Sequence, residues 1–231
     1  MDYETLYVLY QSRKTLLSIL SGRGYNTKPF EKFGPIEISA MVAAGGISIK
    51  STGVNALRMD LEKTTAAAEE GGTGAPTKCR VLYSFNRIKN QLNQFIQKLT
   101  DEENTDRVDP ATTEVVVMLV GDTIADAFHA AAFTAYTNKT NKLRISFFQI
   151  HQLVNNPLEH TLVPKHERVP ASEHEALLQT HKIKSKANLP LIRFHEDMIA
   201  RILGLMPGDI VKITRPSPSA GEYLQYRVCV P

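Results

Sequence analysis

The chain has 231 residues, 42% of them hydrophobic and 22% charged, with 27 Lys and Arg against 24 Asp and Glu for a formal net charge of +3. That length can bury one large core or two small ones, and the composition is ordinary for a globular protein. No apolar run approaches the roughly 20 residues that span a bilayer, no secretory signal is expected from "MDYETLYVLYQSRK", and +3 is little charge for a dedicated nucleic-acid module. Tryptophan is absent, and no block interleaves aromatic and basic residues to stack bases. Cys79 and Cys229 lie far apart without metal-ligand spacing and are expected to be reduced thiols in the cytosol or nucleus.

In chain order, "DYETLYVLYQSRKTLLSILSGRGY" predicts a helix. Leu6, Leu9, Tyr10, Leu16, Leu17 and Leu20 recur at helical spacing, with Asp2 to cap it and Gly22 or Gly24 to end it. Residues 36–49 hold two strand-like runs, "IEIS" and "ISIK", parted by Gly45-Gly46. Residues 64–78, rich in glycine and small side chains, read as an exposed loop. "CRVLYSF" (79–85) predicts a strand, and 86–99 an amphipathic helix carrying Ile88, Leu92, Phe95, Ile96 and Leu99 on one stripe. An acidic loop follows. "TEVVVMLVGD" (113–122) is a near-continuous β-branched run, as suits a buried central strand. Residues 123–136 are alanine-rich and helical, and 142–150 read as a strand. Alternating helices and strands predict an α/β domain over 1–155.

A second, small α+β domain is expected over 156–231. "PASEHEALLQTHKI" offers a capping box, Ser172 with Glu175 three residues on. "EDMIARILGL" predicts a short helix ending near Gly204, and Pro207-Gly208 a turn. "DIVKITR" and "EYLQYRVCV" alternate apolar and polar residues around "PSPSAG", a pair of antiparallel strands. Leu224, Tyr226, Val228 and Val230 would face one side of the sheet, and Tyr223, Gln225 and Arg227 the other.

The residues carry little catalytic chemistry. His160, His166, His174 and His181 are close in sequence, but zinc needs three or four ligands converging at about 2.0–2.3 Å. None of the four makes an HExxH pair, and no CxxC accompanies them. On one helix, His174 and His181 would stand about 10 Å apart. They read as surface or hydrogen-bonding groups, and no metal or cofactor is expected. There is no GxSxG and no phosphate loop. A nuclease of the PD-(D/E)xK type needs an acid two residues before a lysine on a strand, and no lysine here has one. What remains is binding: Arg215, Tyr223, Tyr226, Arg227 and the Val-Pro-Lys-His segment all lie in the last 70 or so residues and offer amphipathic groups of the kind enriched at protein interfaces.

"HTLVPKHERV" (160–169), Leu177-Leu178, "LPLI" (189–192) and "LGLMPGDIVKITRPSPSAGEYLQYRV" (203–228) together resemble a small subunit of the archaeal RNA polymerase. In eukaryotes the same family supplies the fifth subunit, shared by nuclear polymerases I, II and III. The front of the chain, with its helix ending in "GRGY", is similar to the N-terminal jaw domain that the eukaryotic form adds. The resemblance implies a non-catalytic subunit of a DNA-directed RNA polymerase, with a nuclease-like jaw that lacks catalysis. It implies a C-terminal domain that docks on the largest subunit for assembly, a jaw beside downstream DNA, and a place in the nucleus, or the nucleolus if dedicated to polymerase I. The expected partner-binding residues are Leu162, Val163, Pro164, Lys165, His166, Arg215, Ser217, Gly221, Tyr226 and Arg227. Ala125, Asp126 and Ala127 would lie nearest DNA.

The chain departs from the family pattern in places. Met198 stands where the family has proline after Asp197, and Pro216 and Pro218 stiffen the loop whose usual threonine is replaced by Ser219. Asp126 falls where a small polar residue is expected, and a carboxylate there would repel phosphate. Residues 64–78 look like an insertion. These features suit a divergent paralogue or a viral copy. Two other readings remain: a metal-dependent nuclease on the first domain, disfavoured by the missing acid-x-lysine pair, and a free-standing basic nucleic-acid binder.

Overall fold

The computed structural model describes residues 2–44, 55–64, 76–101, 107–138 and 142–231. The "ISIK" run and most of the 64–78 loop lie outside the described residues. The chain folds as two compact units, the first ending at Asn155 and the second running from Asn156 to Pro231.

The first unit opens with α1, Tyr3–Gly22. Leu9, Leu16 and Leu20 are buried along it, the recurrence of an amphipathic helix. At its end the amides of Arg23 and Gly24 donate to the carbonyls of Ile19 and Ser21, which satisfies acceptors the helix leaves open. Tyr25 then bridges to Lys63 beside the sheet. The "IEIS" run is not a strand: it lies in α2, Pro35–Ala44. Pro35 is pre-set for a first helical turn and Glu37 favours the N-terminal dipole. Only Ile38 of this helix is buried, while Ile36 is 82% exposed. Four residues of alternation could not separate the two periods.

The first sheet has the order β1-β2-β3-β4, with β1 Met59–Glu62, β2 Lys78–Ser84, β3 Thr113–Leu119 and β4 Arg144–Gln149. β1 runs antiparallel to β2, and β2, β3 and β4 are parallel. Parallel neighbours need crossovers, supplied by α3 (Leu92–Thr100) and α4 (Asp126–Thr137). All seven residues of β3 are buried, as its β-branched run predicts. The stripe over 86–99 is split: Ile88 precedes a 3-10 turn, Lys89–Gln91, and the Asp122 carboxylate accepts from the amides of Ile88 (2.5 Å) and Lys89 (3.1 Å). α4 lies close to the sheet through Ala131, Ala132 and Ala135, with Phe128 edge-on to Phe147 at 5.1 Å between centroids. At Gly121 the backbone passes so near Phe85 that a Cβ would stand 2.3 Å from its carbonyl oxygen.

The second unit holds a sheet of order β5-β7-β8-β6, with β5 Lys165–Val169, β6 Leu191–Arg193, β7 Ile210–Ser217 and β8 Gly221–Val230. β7 is antiparallel to β5 and β8, and β6 is parallel to β8. α5, His174–Thr180, brings Leu177 and Leu178 against a core of Val169, Leu189, Ile210 and Val228. The Ser172–Glu175 capping box does not form: Ala171–Glu173 is a 3-10 turn, so the cap position falls on Glu173, without a side-chain cap. α6, Met198–Leu203, is capped by Asp197, whose Oδ1 accepts from the amides of Ile199 (2.8 Å) and Ala200 (3.3 Å). It ends at Gly204, whose φ of 63° suits a residue without Cβ.

Candidate assembly surface on the second unit

The segment 160–166 is built as a turn that feeds an edge strand. The Val163 amide donates to the His160 carbonyl at 2.9 Å, and the Leu162 amide to His160 Nδ1 at 3.2 Å. This leaves Leu162 pointing outward, 85% exposed, with Val163 and Pro164 half-buried. Pro164 holds Val163 extended, and its carbonyl meets His166 Nδ1 at 2.6 Å. Lys165 then pairs with Thr214 and His166 with Ile213, which draws the segment alongside the β7–β8 hairpin. Lys165 Nζ lies 2.6 Å from Glu167, and Lys212 reaches the same carboxylate at 3.7 Å. The hydrogen bond raises the Lys165 pKa and lowers that of Glu167. Both groups are solvated, so the pair fixes geometry more than stability.

At the hairpin tip, Ser217 pairs with Gly221. Ser217 Oγ accepts from the Ala220 amide at 3.3 Å and stands 3.4 Å from Ser219 Oγ. Arg215 is exposed opposite Tyr223. The expected partner-binding residues therefore divide. Leu162, Lys165, Arg215, Ser217 and Gly221 belong to one end of the sheet. Tyr226 and Arg227 lie further along β8 and point to opposite faces. Tyr226 is half-buried against α5, its ring 5.2 Å from that of His181. Arg227 donates from Nη1 to the Leu191 carbonyl at 3.1 Å, tying β8 to β6, while its buried Nε has no hydrogen-bond partner among the described residues.

Sequence patterning missed part of this surface. Leu224, expected on the same side as Val228, is 46% exposed, and Tyr223 (57%) and Leu191 (53%) are also open. The alternation is correct, but α5 covers only the Val228 end of that face, which periodicity cannot reveal.

The four histidines do not converge. His174 is buried: its Nε2–H donates to the Val169 carbonyl at 3.1 Å and its Nδ1 accepts from Lys186 Nζ at 2.7 Å. Burial first, then the Lys186 charge, lowers its pKa. Among the described residues no group of three His, Cys, Asp or Glu could hold a metal ion.

In the first unit, Ala125 is extended and half-buried, and Asp126 and Ala127 are exposed in the opening turn of α4, where a carboxylate favours the helix dipole. The acids of β1 face cations. Asp60 meets Arg80 at 2.6 Å and Arg58 at 2.8 Å, and Glu62 meets Lys78 at 3.0 Å. Deeper in, Glu114 holds Arg23 at 2.7 Å near Tyr25 and Cys79. Burial, the largest single influence, lowers the Arg23 pKa, but the Glu114 carboxylate together with Tyr25 and Cys79 raises it on balance.

A family model described as the RNA polymerase Rpb5 C-terminal domain matches residues 155–229, which cover the second sheet except for the last residue of β8. The second unit is thus an RNA polymerase subunit domain. A relative from Pyrococcus horikoshii, DNA-directed RNA polymerase subunit Rpo5, is 47% identical over 75 residues, 32% of this chain and 89% of its own length. Longer relatives match both units. The Caenorhabditis elegans DNA-directed RNA polymerases I, II, and III subunit RPABC1 is 29% identical over 224 residues, 97% of this chain and 96% of its own. Its Dictyostelium discoideum counterpart is 27% identical over 230 residues, 98% and 100% of the two chains. The chain belongs to the Rpb5 family, known as RPABC1 in eukaryotes and Rpo5 in archaea.

Proposed function

We propose that this chain is a non-catalytic subunit of a multisubunit DNA-directed RNA polymerase in the nucleus. Its second unit docks on the largest subunit and promotes assembly. Its first unit forms part of the lower jaw beside downstream DNA, on a nuclease-like fold that does no chemistry. The observation that carries the docking reading is the cluster of open side chains at one end of the second sheet. Leu162 is 85% exposed and Leu224 46%, with Tyr223 57% exposed on the other face of β8, within the unit matched by the family model. Exposed apolar side chains beside Lys165 and Arg215 resemble the apolar centre and charged rim of a protein interface. Leu162 to His166 and the Arg215 to Gly221 tip supply the contact. Tyr226 and Arg227 support it by fixing β8 against α5 and β6.

Co-purification tests this. Leu162→Asp with Leu224→Asp should remove most polymerase association while the thermal midpoint of the free chain holds. Retained association would move the docking surface elsewhere. For the jaw, Asp126→Lys should strengthen DNA binding by the assembled polymerase at low salt, with the gain fading as salt rises. An unchanged affinity would place DNA away from α4. Incubating the pure chain with DNA and magnesium or manganese should give no cleavage, since no lysine has an acid two residues before it.

A further inference from the structure

A groove of about 430 Å³ runs along α1, lined by Tyr10, Lys14, Ser18, Phe30 and Phe33. Arg13 also lines it and is only 3% exposed. Arg13 Nη1 donates to the Leu57 carbonyl at 3.1 Å, and the guanidinium lies 5.9 Å from the Tyr83 ring centroid. Neither contact neutralises the charge. Its Nε has no hydrogen-bond partner, and no ion pair joins Arg13 to a carboxylate among the described residues. Arg23, which also lies deep in this unit, has Glu114 at 2.7 Å. A buried cation without a counter-charge is costly, and here it borders an open groove.

The groove continues a surface stripe. Tyr3, Tyr7, Tyr10, Lys14 and Ser18 follow one another by three or four residues and share a helix face, with Tyr3 81% and Tyr7 51% exposed. From Tyr3 to Tyr10 the stripe is about 10 Å long, more than a small anion would cover. The acidic groups beside it are Glu4, in the first turn of α1, and Glu31 on the groove wall, which accepts from the Thr27 hydroxyl at 2.5 Å. With Arg13 and Lys14 the two cations in the lining, a run of phosphates finds too few partners, whereas a segment that places one or two carboxylates there does not.

We infer that this groove takes an acidic peptide segment of a partner protein that carries aromatic or aliphatic side chains. A carboxylate enters against Arg13 and Lys14, where a charge-assisted bond can form. Its apolar neighbours lie on Tyr10, Phe30 and Phe33, and the flanking segment follows Tyr7 and Tyr3. The inference does not rest on the docking proposed for the second unit.

The test is fluorescence anisotropy on the full chain. The probe is a labelled peptide that mixes Asp and Glu with Phe and Leu, and its counterpart has every acid replaced by the amide. The acidic peptide should bind about tenfold tighter than the amide peptide. Lys14→Glu should weaken it roughly fivefold, and Ser18→Trp, which fills the groove from an exposed position, about tenfold or more. Both variants should keep the parent thermal midpoint. Equal affinity for the two peptides, binding to neither, or binding indifferent to Ser18→Trp would overturn the inference. So would displacement by short duplex DNA, or binding of inorganic phosphate alone in place of the peptide, which would mark an anion site of another kind.

Discussion

His174 is one of four histidines whose spacing raises the question of a metal, and its neighbours define its role. Lys186 is only a donor, so the imidazole folds neutral with its proton on Nε2. The charged groups around it are Lys186, Arg168 and Asp209, and the lowered pKa follows from burial and then Lys186. The unfolded chain binds a proton near the ordinary value of 6.5, and the folded chain only at lower pH. His174 therefore contributes stability that is present above that value and is lost as pH falls through the lowered one. Urea midpoints at about pH 7.5 and about pH 5 should drop less in His174→Gln than in the parent; equal drops would refute this. The two cysteines make a second case. Cys79 and Cys229 are each 1% exposed; burial raises both thiols, Cys229 to about 12. A chromogenic disulfide reagent should label neither thiol in the folded chain and both in denaturant. Their reduced state could be expected from the sequence, but their inertness needed the burial.

Among the elements, the legible ones have a long pattern or a strong cap. β3 is legible because seven consecutive buried positions leave one reading open to a β-branched run. α6 is legible from Gly204, although Asp197 rather than apolar spacing fixes its start. Asp197→Ala should cost about 1 kcal/mol in urea unfolding. α2 is not legible, because four alternating residues fit a strand and the deciding feature is the fixed φ of Pro35. The Ser172 box fails for a similar reason, since a 3-10 turn ahead of α5 shifts the cap by one residue. Gly121 carries no local signal at all: its need arises where the end of β3 meets Phe85, far back in sequence. Gly121→Ala should destabilise by roughly 1–3 kcal/mol, and a loss near zero would mean that this backbone yields freely.

At the scale of the molecule, each unit has its own sheet and its own buried core. The family model matches residues 155–229, and the archaeal relative aligns with 75 residues of this chain over 89% of its own length. A fragment of residues 156–231 should therefore fold alone, with a cooperative urea transition and a resolved amide spectrum. A non-cooperative transition would mean that its core depends on the first unit. In a larger assembly, open side chains such as Leu162, Leu224, Tyr3 and Tyr7 are more informative than net charge, because +3 says little while their exposure singles out surfaces.

Near-neighbour spacing, which the chain states directly, is enough for most of the alternation of helices and strands, the β7–β8 pairing and the absence of an acid-x-lysine pair, while the family resemblance rests on motifs that match in order. Long-range packing set the rest: Tyr226 lies against His181 and Arg227 bonds the Leu191 carbonyl, while Leu224 stays open. It also left Arg13 buried beside a groove without a counter-charge. Those outcomes depend on which surface another element covers, and residues far apart in the chain set that.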